Sequence, residues 1–199
     1  MKIVLASKSP RRRELAARLG FEVRCVDVDV DEHTPAAMAA SDVAEHLARR
    51  KAAAFDTARL QQDEVLVTAD TVVALEGMAL GKPAGRDEAV AMLRSLSGKT
   101  HTVYTGVCLR TAAAERSFTE ATRVHFRHLD ESTISHYVDT FHPADKAGAY
   151  GIQEWIGMVG ISGIEGCYYN VMGLPTSRLF AELKSQEAAL IPCQKQNAR

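Results

Sequence analysis

The stretch 65–75, Val-Leu-Val-Thr-Ala-Asp-Thr-Val-Val-Ala-Leu, is a strongly strand-forming run. Its two valine-rich halves predict a buried strand, and Asp70 interrupts it. An ionised carboxylate in such a run is costly unless it is paired, hydrogen-bonded or bound to a cation. Asp70 is therefore either an active-site acid or a strand residue capping a turn. A buried strand also needs a core around it, and the composition supplies one. The chain has 199 residues, 46% hydrophobic and 25% charged, with 13 Gly and 6 Pro, as in ordinary folded soluble proteins. Small stapled scaffolds, extended arrays and disordered chains are excluded.

The net charge is -1, from 24 Lys+Arg against 25 Asp+Glu. That balance removes the long-range attraction used by nucleic-acid and anionic-membrane binders, so neither partner is expected. Any anionic ligand has to be met by a local cluster. Cys25, Cys108, Cys167 and Cys193 are widely separated and form no C-x-x-C pair, which reads as reduced thiols. The amino terminus turns charged after a few apolar residues, too soon for a signal peptide or a membrane span, and the cytoplasm is the expected location.

Residues 3–6 predict a short buried strand, followed at once by Ser7-Lys8-Ser9-Pro10. Ser9 can cap a helix, Pro10 suits its first position, Leu15, Ala16 and Leu19 share a face, and Gly20 suits the stop. Residues 21–31 look strand-like, and Ser41-Asp42 opens a second helix through about residue 54, with Lys51 near its end. Glu76-Gly77 reads as a turn, residues 87–96 as a helix ending at Gly98, and residues 102–111 and 117–126 as an antiparallel pair. A helix then starts at Leu129-Asp130-Glu131 and runs through Val138, and residues 142–149 are a loop. Residues 150–153 and 156–161 read as short strands, and Leu174-Pro175 begins a final amphipathic helix. The architecture is mixed α/β. Residues 1–190 are expected to form one domain, and 191–199 a polar, disordered tail.

Ser7, Ser9, Arg11 and Arg12 occupy a loop that becomes a helix amino terminus, where N–H groups, hydroxyls and guanidinium forks can converge on phosphate. Positive charge in a first turn opposes the helix dipole, which favours a bound anion there over a merely solvated basic turn. Lys51, Lys82 and Lys146 each stand beside turn signals, as exposed charges or as ligands of an anion. Lys82 is the most constrained, between Gly81 and Pro83. Asp29, Asp31 and Glu32 form an acidic loop that is either solvated or contributes metal-ligating carboxylates. In residues 145–153 two glycines and two alanines leave the backbone accessible beside an acid, a base and an amide. The seven histidines offer no metal spacing, and Trp155, Tyr168 and Tyr169 either stack on a base or pack in the core.

Several motifs recur in one order: Ser7-Lys8-Ser9-Pro10-Arg11-Arg12, Ala69-Asp70-Thr71, Gly81-Lys82-Pro83, and Leu96-Ser97-Gly98 with His101. Thr105-Gly106-Val107, residues 145–153, and Tyr169-Asn170-Val171 with Gly173-Leu174-Pro175 complete the series. Together they resemble the Maf family, over residues 3 to about 184. The resemblance implies an ITPase-like α/β fold: an elongated mixed sheet with flanking helices, forming two lobes around a cleft. It also implies a cytoplasmic, homodimeric nucleoside triphosphate pyrophosphatase that needs Mg²⁺ or Mn²⁺.

The resemblance makes Asp70 the proton acceptor and puts Ser9, Arg11, Arg12, Lys51, Lys82 and Lys146 around the triphosphate, with Ser7 beside them. Asp31, Glu32, Asp70 and Asp145 are the candidate metal ligands. Family members that prefer dTTP and UTP carry Arg, Thr and Gln at the positions of Arg12, Thr71 and Gln153; the 7-methyl-GTP branch has Trp and Glu at the first and last. This sequence is similar to the dTTP/UTP branch. A carboxamide at Gln153 offers a donor and an acceptor to O4 and N3–H of thymine or uracil, whereas an ionised Glu cannot donate. Cys167, the stretch Gly85-Arg86-Asp87 and the last dozen residues depart from the family pattern.

The reaction so implied is hydrolysis between the α- and β-phosphates, with water attacking the α-phosphorus while Asp70, alone or through a bound cation, orients and deprotonates it. CTP and modified pyrimidine triphosphates are further candidate substrates. Two other readings stay open: a nucleotide-binding regulator of cell division and septum formation that needs no turnover, and a 7-methyl-GTP or other guanine-nucleotide hydrolase.

Overall fold

A computed structural model of the chain describes residues 1–31, 33–35 and 38–190. The strands are β1 (Lys2–Ala6), β2 (Glu22–Val26), β3 (Glu64–Leu75), β4 (Met78–Leu80), β5 (Thr100–Arg110), β6 (Glu115–Phe126) and β7 (Ile161–Glu165). They form one sheet ordered β2-β1-β3-β5-β6-β7, with β4 paired to β3 off that path. The helices are α1 (Pro10–Ala17), α2 (Ala40–Ala53), α3 (Arg86–Leu96), α4 (Glu131–Phe141), α5 (Trp155–Gly160), α6 (Tyr168–Met172) and α7 (Thr176–Leu190). Strand β1 runs parallel to both β2 and β3, and every later pairing is antiparallel.

The apolar run is the central strand β3, covered on both faces, and its period of two decides which helix each side chain meets. Leu66 packs with Ala48, Ala52 and Phe55, and the Thr68 hydroxyl donates to the Ala48 carbonyl at 2.6 Å. Val65 and Val67, on the opposite face, pack against Leu15 of α1 and Leu179 and Leu183 of α7. Farther along, Val72 and Ala74 meet Val43, Ala44 and Leu47 of α2, while Val73 and Leu75 join a core with Leu93, Ile134 and Tyr137.

Two features of β3 create the functional region. Strand β1 ends at Ala6, opposite Thr68, and β4 pairs no farther back than Leu80, opposite Val73. Residues 69–72 thus have no strand among the described residues along that edge, while their other edge stays paired to β5. The second feature is Gly106 of β5, directly opposite Asp70. A Cβ there would run into the backbone of Ala44 and Glu45, so α2 lies directly on the sheet at this point.

The expected strand at 156–161 is a correction. Residues Trp155–Gly160 form helix α5, and β7 begins only at Ile161. A short apolar run carries no period that separates helix from strand. Here Ile156 and Gly160, one helical turn apart, are both buried, and Gly160 lies against Leu129 and Phe126. Residues 150–153 are likewise not a strand. Strand β4 and helix α6 were not expected from the sequence. Glu76 and Gly77 both take positive φ, 52° and 82°, as the two-residue turn joining β3 and β4 requires. The polar tail 191–199 lies outside the described residues, and no described helix is long and apolar enough to cross a membrane.

The start of β3 is pinned by Glu64, 4% exposed, whose carboxylate accepts from Arg24 Nε at 2.6 Å, Arg24 Nη2 at 2.8 Å and the Gln61 N–H at 2.9 Å. Hydrogen bonding from the Arg24 guanidinium holds this carboxyl down at about 2, from an ordinary 4.5. A folded-state value below the unfolded one contributes stability that is full above the unfolded value and is lost as pH falls through the folded one. The stability difference between the wild type and Glu64→Gln, read by urea unfolding, should therefore shrink steadily from about pH 5 to pH 2. A separate expectation concerns Gly106→Ala: because the obstructing atoms are backbone, the unfolding free energy should drop by about 3 kcal/mol, near the upper end for overpacking. An unchanged urea midpoint would contradict the close docking of α2.

Candidate active site

A cavity of about 690 Å³ opens at the gap along β3, and residues 69–73 all line it. Asp70 lies mid-strand and does not cap a turn. Its side chain and that of Lys51, in the last turn of α2, are each 14% exposed, with Lys51 Nζ 2.5 Å from Asp70 Oδ1. Alternation places Asp70 on the face of β3 that α2 covers, so the ion pair follows from the strand period and the seat of α2 on Gly106.

The amino terminus of α1 forms a second wall. Ser9 is the cap, its Oγ accepting from the Arg12 N–H at 3.4 Å, and the buried Ser7 hydroxyl accepts from the Ser9 N–H at 3.2 Å. Arg12 is held firmly: Nε donates to the Gly173 carbonyl at 2.7 Å and Nη2 to Thr71 Oγ1 at 2.9 Å. The Thr71 and Thr105 hydroxyls are 2.9 Å apart, and Thr105 donates to the Asn170 carbonyl at 2.9 Å. Arg11 reaches Asp145, with Nη1 3.3 Å from Oδ2. Arg13 turns away to the Ser7 carbonyl and Asp27.

The third wall is residues 145–153, where Gly148 and Ala149 both adopt positive φ, 70° and 58°. The Gly148 N–H donates to the Gly81 carbonyl at 3.0 Å, which ties this segment to the loop bearing Lys82. Lys146, buried, has its Nζ 2.6 Å from Asp145 Oδ1 and 3.1 Å from Glu154 Oε1. Gln153 and Lys82 are exposed at the cavity, and Lys82 makes no hydrogen bond or ion pair to a described residue.

Ser7, Ser9, Arg11, Arg12, Lys51, Asp70, Thr71, Lys82, Asp145, Lys146 and Gln153 thus come from five separate stretches of chain to one cavity. Cations outnumber carboxylates in this lining, an excess that the whole chain, at -1, does not show. Asp31 is not in the lining: it accepts from the His33 N–H at 2.9 Å and lies 3.9 Å from Arg50 Nη2. Glu32 lies outside the described residues. No three His, Cys, Asp or Glu among the described residues could hold a metal ion together. Asp29, Asp70 and Asp145 line the cavity, each paired with a lysine, and as hard oxygen donors they have the chemistry a small divalent cation takes.

Sequence reasoning did not assign roles to Thr105, Asn170 or Glu154. Asn170 is fully buried, its amide donating to the Val103 carbonyl and Thr122 Oγ1 at 3.0 Å each. It sits in the Tyr169-Asn170-Val171 motif, yet its task, holding the backbone that receives Arg12, depends on contacts 48 to 67 positions away. His101 is likewise structural. Burial lowers its pKa to about 4, and its Nε2 lies 2.7 Å from the Tyr150 hydroxyl.

The family model described as Maf-like protein matches residues 2–186. A dTTP/UTP pyrophosphatase of Bacteroides thetaiotaomicron is 53% identical over 184 residues, which cover 92% of this chain and 94% of that protein. A dTTP/UTP pyrophosphatase of Porphyromonas gingivalis is 48% identical over 186 residues, covering 92% of this chain and 93% of that protein. Among solved structures, the Ham1 protein of Staphylococcus aureus matches with a TM-score of 0.56 at 15% identity, over 94% of this chain and 100% of that one. At that identity the likeness is one of ITPase-like fold alone. It is the agreement along the sequence, running through every wall of the cavity, that makes this chain a member of the Maf family.

Proposed function

We propose that the protein is a nucleoside triphosphate pyrophosphatase that hydrolyses dTTP and UTP to the monophosphate and pyrophosphate. The observation that carries this reading is the cation-rich cavity built over one half-buried carboxylate, Asp70, on the open edge of β3. Relatives 53% and 48% identical bear the name of that activity.

In this reading water attacks the α-phosphorus and Asp70 accepts its proton, with Lys51 fixing the orientation of the carboxylate. Arg11, Arg12, Lys82 and Lys146 face the charge that builds on the departing pyrophosphate, and the hydroxyls of Ser7 and Ser9 stand by the same phosphates. Gln153 meets the O4 and N3–H edge of the pyrimidine, with Arg12 and Thr71 completing the selection. Asp70 and Asp145 would hold a divalent cation, Mg²⁺ or Mn²⁺, jointly with phosphate oxygens. When bound, the cation offsets phosphate charge and polarises the reacting phosphoryl group. The reading also carries a cytoplasmic, homodimeric enzyme whose residues 1–190 form one two-lobed domain, and its support for these is family membership.

Incubation with dTTP or UTP and Mg²⁺ or Mn²⁺ should release pyrophosphate; saturable binding without product would instead favour a nucleotide sensor. Asp70→Asn, checked for folding by circular dichroism, should lose about 10²- to 10⁴-fold in kcat, as expected for removal of a general base. Near-normal turnover would remove Asp70 from the chemistry. Gln153→Glu should cut kcat/KM for UTP by roughly tenfold or more, since one donor to the base is lost. Indifference to that change would favour the guanine-nucleotide reading.

A further inference from the structure

We propose that Glu154 is a positioning residue: it does not line the cavity, yet it fixes both the ammonium of Lys146 and the turn that carries Gln153. The inference rests on the reading of the cavity as a pyrimidine triphosphate site, and deepens it.

Glu154 is half-buried and works with both oxygens. Oε1 is 3.1 Å from Lys146 Nζ, and Oε2 accepts from the Tyr137 hydroxyl. That hydroxyl also accepts from the Gly151 N–H at 3.0 Å, and the Glu154 N–H donates to the Gly151 carbonyl at 3.0 Å. Residues 151–154 are thus closed into a turn anchored to Tyr137, a fully buried residue of α4. Burial, and then the hydrogen bond to Glu154, push the phenol well above its ordinary range, so it stays a donor. The packing is tight as well: a Cβ on Gly151 would sit 2.8 Å from Glu154 Cδ and 2.9 Å from Gln153 Nε2.

An ammonium has three N–H donors. Asp145 accepts one of those on Lys146, and Glu154 pairs with the same ammonium at 3.1 Å, so the two carboxylates fix its place in the cavity wall. An acid beside a polyphosphate site weakens anion binding on charge alone, so its use here is geometric. Only a carboxylate accepts at both ends. Gln would present N–H to one of two donors, and Asp, one methylene shorter, would not span from Tyr137 to Lys146.

The test compares wild type, Glu154→Gln, Glu154→Asp and Gly151→Ala, measuring kcat and KM by pyrophosphate release from UTP and from GTP, alongside thermal melts. Gly151→Ala crowds Glu154 and Gln153 while removing no charge and no hydrogen bond, and it serves if a Glu154 variant fails to fold. Positioning predicts that kcat/KM for UTP falls by roughly tenfold or more in all three, and that the preference for UTP over GTP shrinks several-fold because Gln153 is loosened. A purely electrostatic role would leave Glu154→Asp normal and lower KM in Glu154→Gln. A purely structural one would lower the melting temperature with the UTP-to-GTP ratio intact. Either result overturns the proposal. Wild-type protein that releases no pyrophosphate from UTP or dTTP would defeat the reading of the cavity, and the inference with it; active wild type with unaltered variants would defeat the inference alone.

Discussion

The site is organised around the ion pair between Asp70 and Lys51. A carboxylate in the middle of a covered strand is costly unless it is paired, and here a counter-charge reaches it. Lys51 reaches Asp70 because α2 is seated directly on the sheet at Gly106, opposite the acid, where any larger residue would collide with helix backbone. Along its other edge the same strand has no strand partner among the described residues for residues 69–72, between the end of β1 and the start of β4. A charged side chain, its counter-ion and an opening for a ligand therefore coincide at one point.

The surroundings extend this arrangement outward. The α1 amino terminus supplies hydroxyls and arginines, and Arg12 is not a loose surface cation, since the Gly173 carbonyl and Thr71 hold it. Lys146 is clamped between two carboxylates, whereas Lys82 stands exposed and unengaged by the described residues. Held and unheld cations lie on the same cavity, which suits an extended anion whose separate charges are met by different parts of the chain.

Much of this was legible in the sequence, for identifiable reasons. Long strands with valine-rich runs, Ser9-Pro10 at a helix start and Glu76-Gly77 at a turn carry local signals strong enough to override context. The arginines were exposed by their conflict with the helix dipole, and Asp70 by its apolar neighbours. Resemblance to a family added Lys51, Lys82, Thr71 and Gln153, which local physics left undecided. What escaped notice is non-local. Helix α5 was misread because a short apolar run has no period, and its form is set by packing on Leu129 and Phe126. Among the supports of the site, Thr105 and Asn170 lie in motifs but act through partners far away in sequence, and Tyr137 and Glu154 meet only because the chain folds back between them. Asp31 sits in an acidic loop that sequence alone could not aim, and its carboxylate engages His33 and approaches Arg50 outside the cavity lining.

Distant cations converging on one cavity with Asp70 would seat a triphosphate with its α-phosphorus at that acid. A crystal structure with a UTP analogue carrying a non-hydrolysable α,β-bridge tests it most directly. The α-phosphorus should lie one water away from the Asp70 carboxylate, the outer phosphates among Arg11, Arg12, Lys82 and Lys146, and uracil at Gln153. A ligand bound elsewhere, or reversed with its base over Asp70, would contradict it.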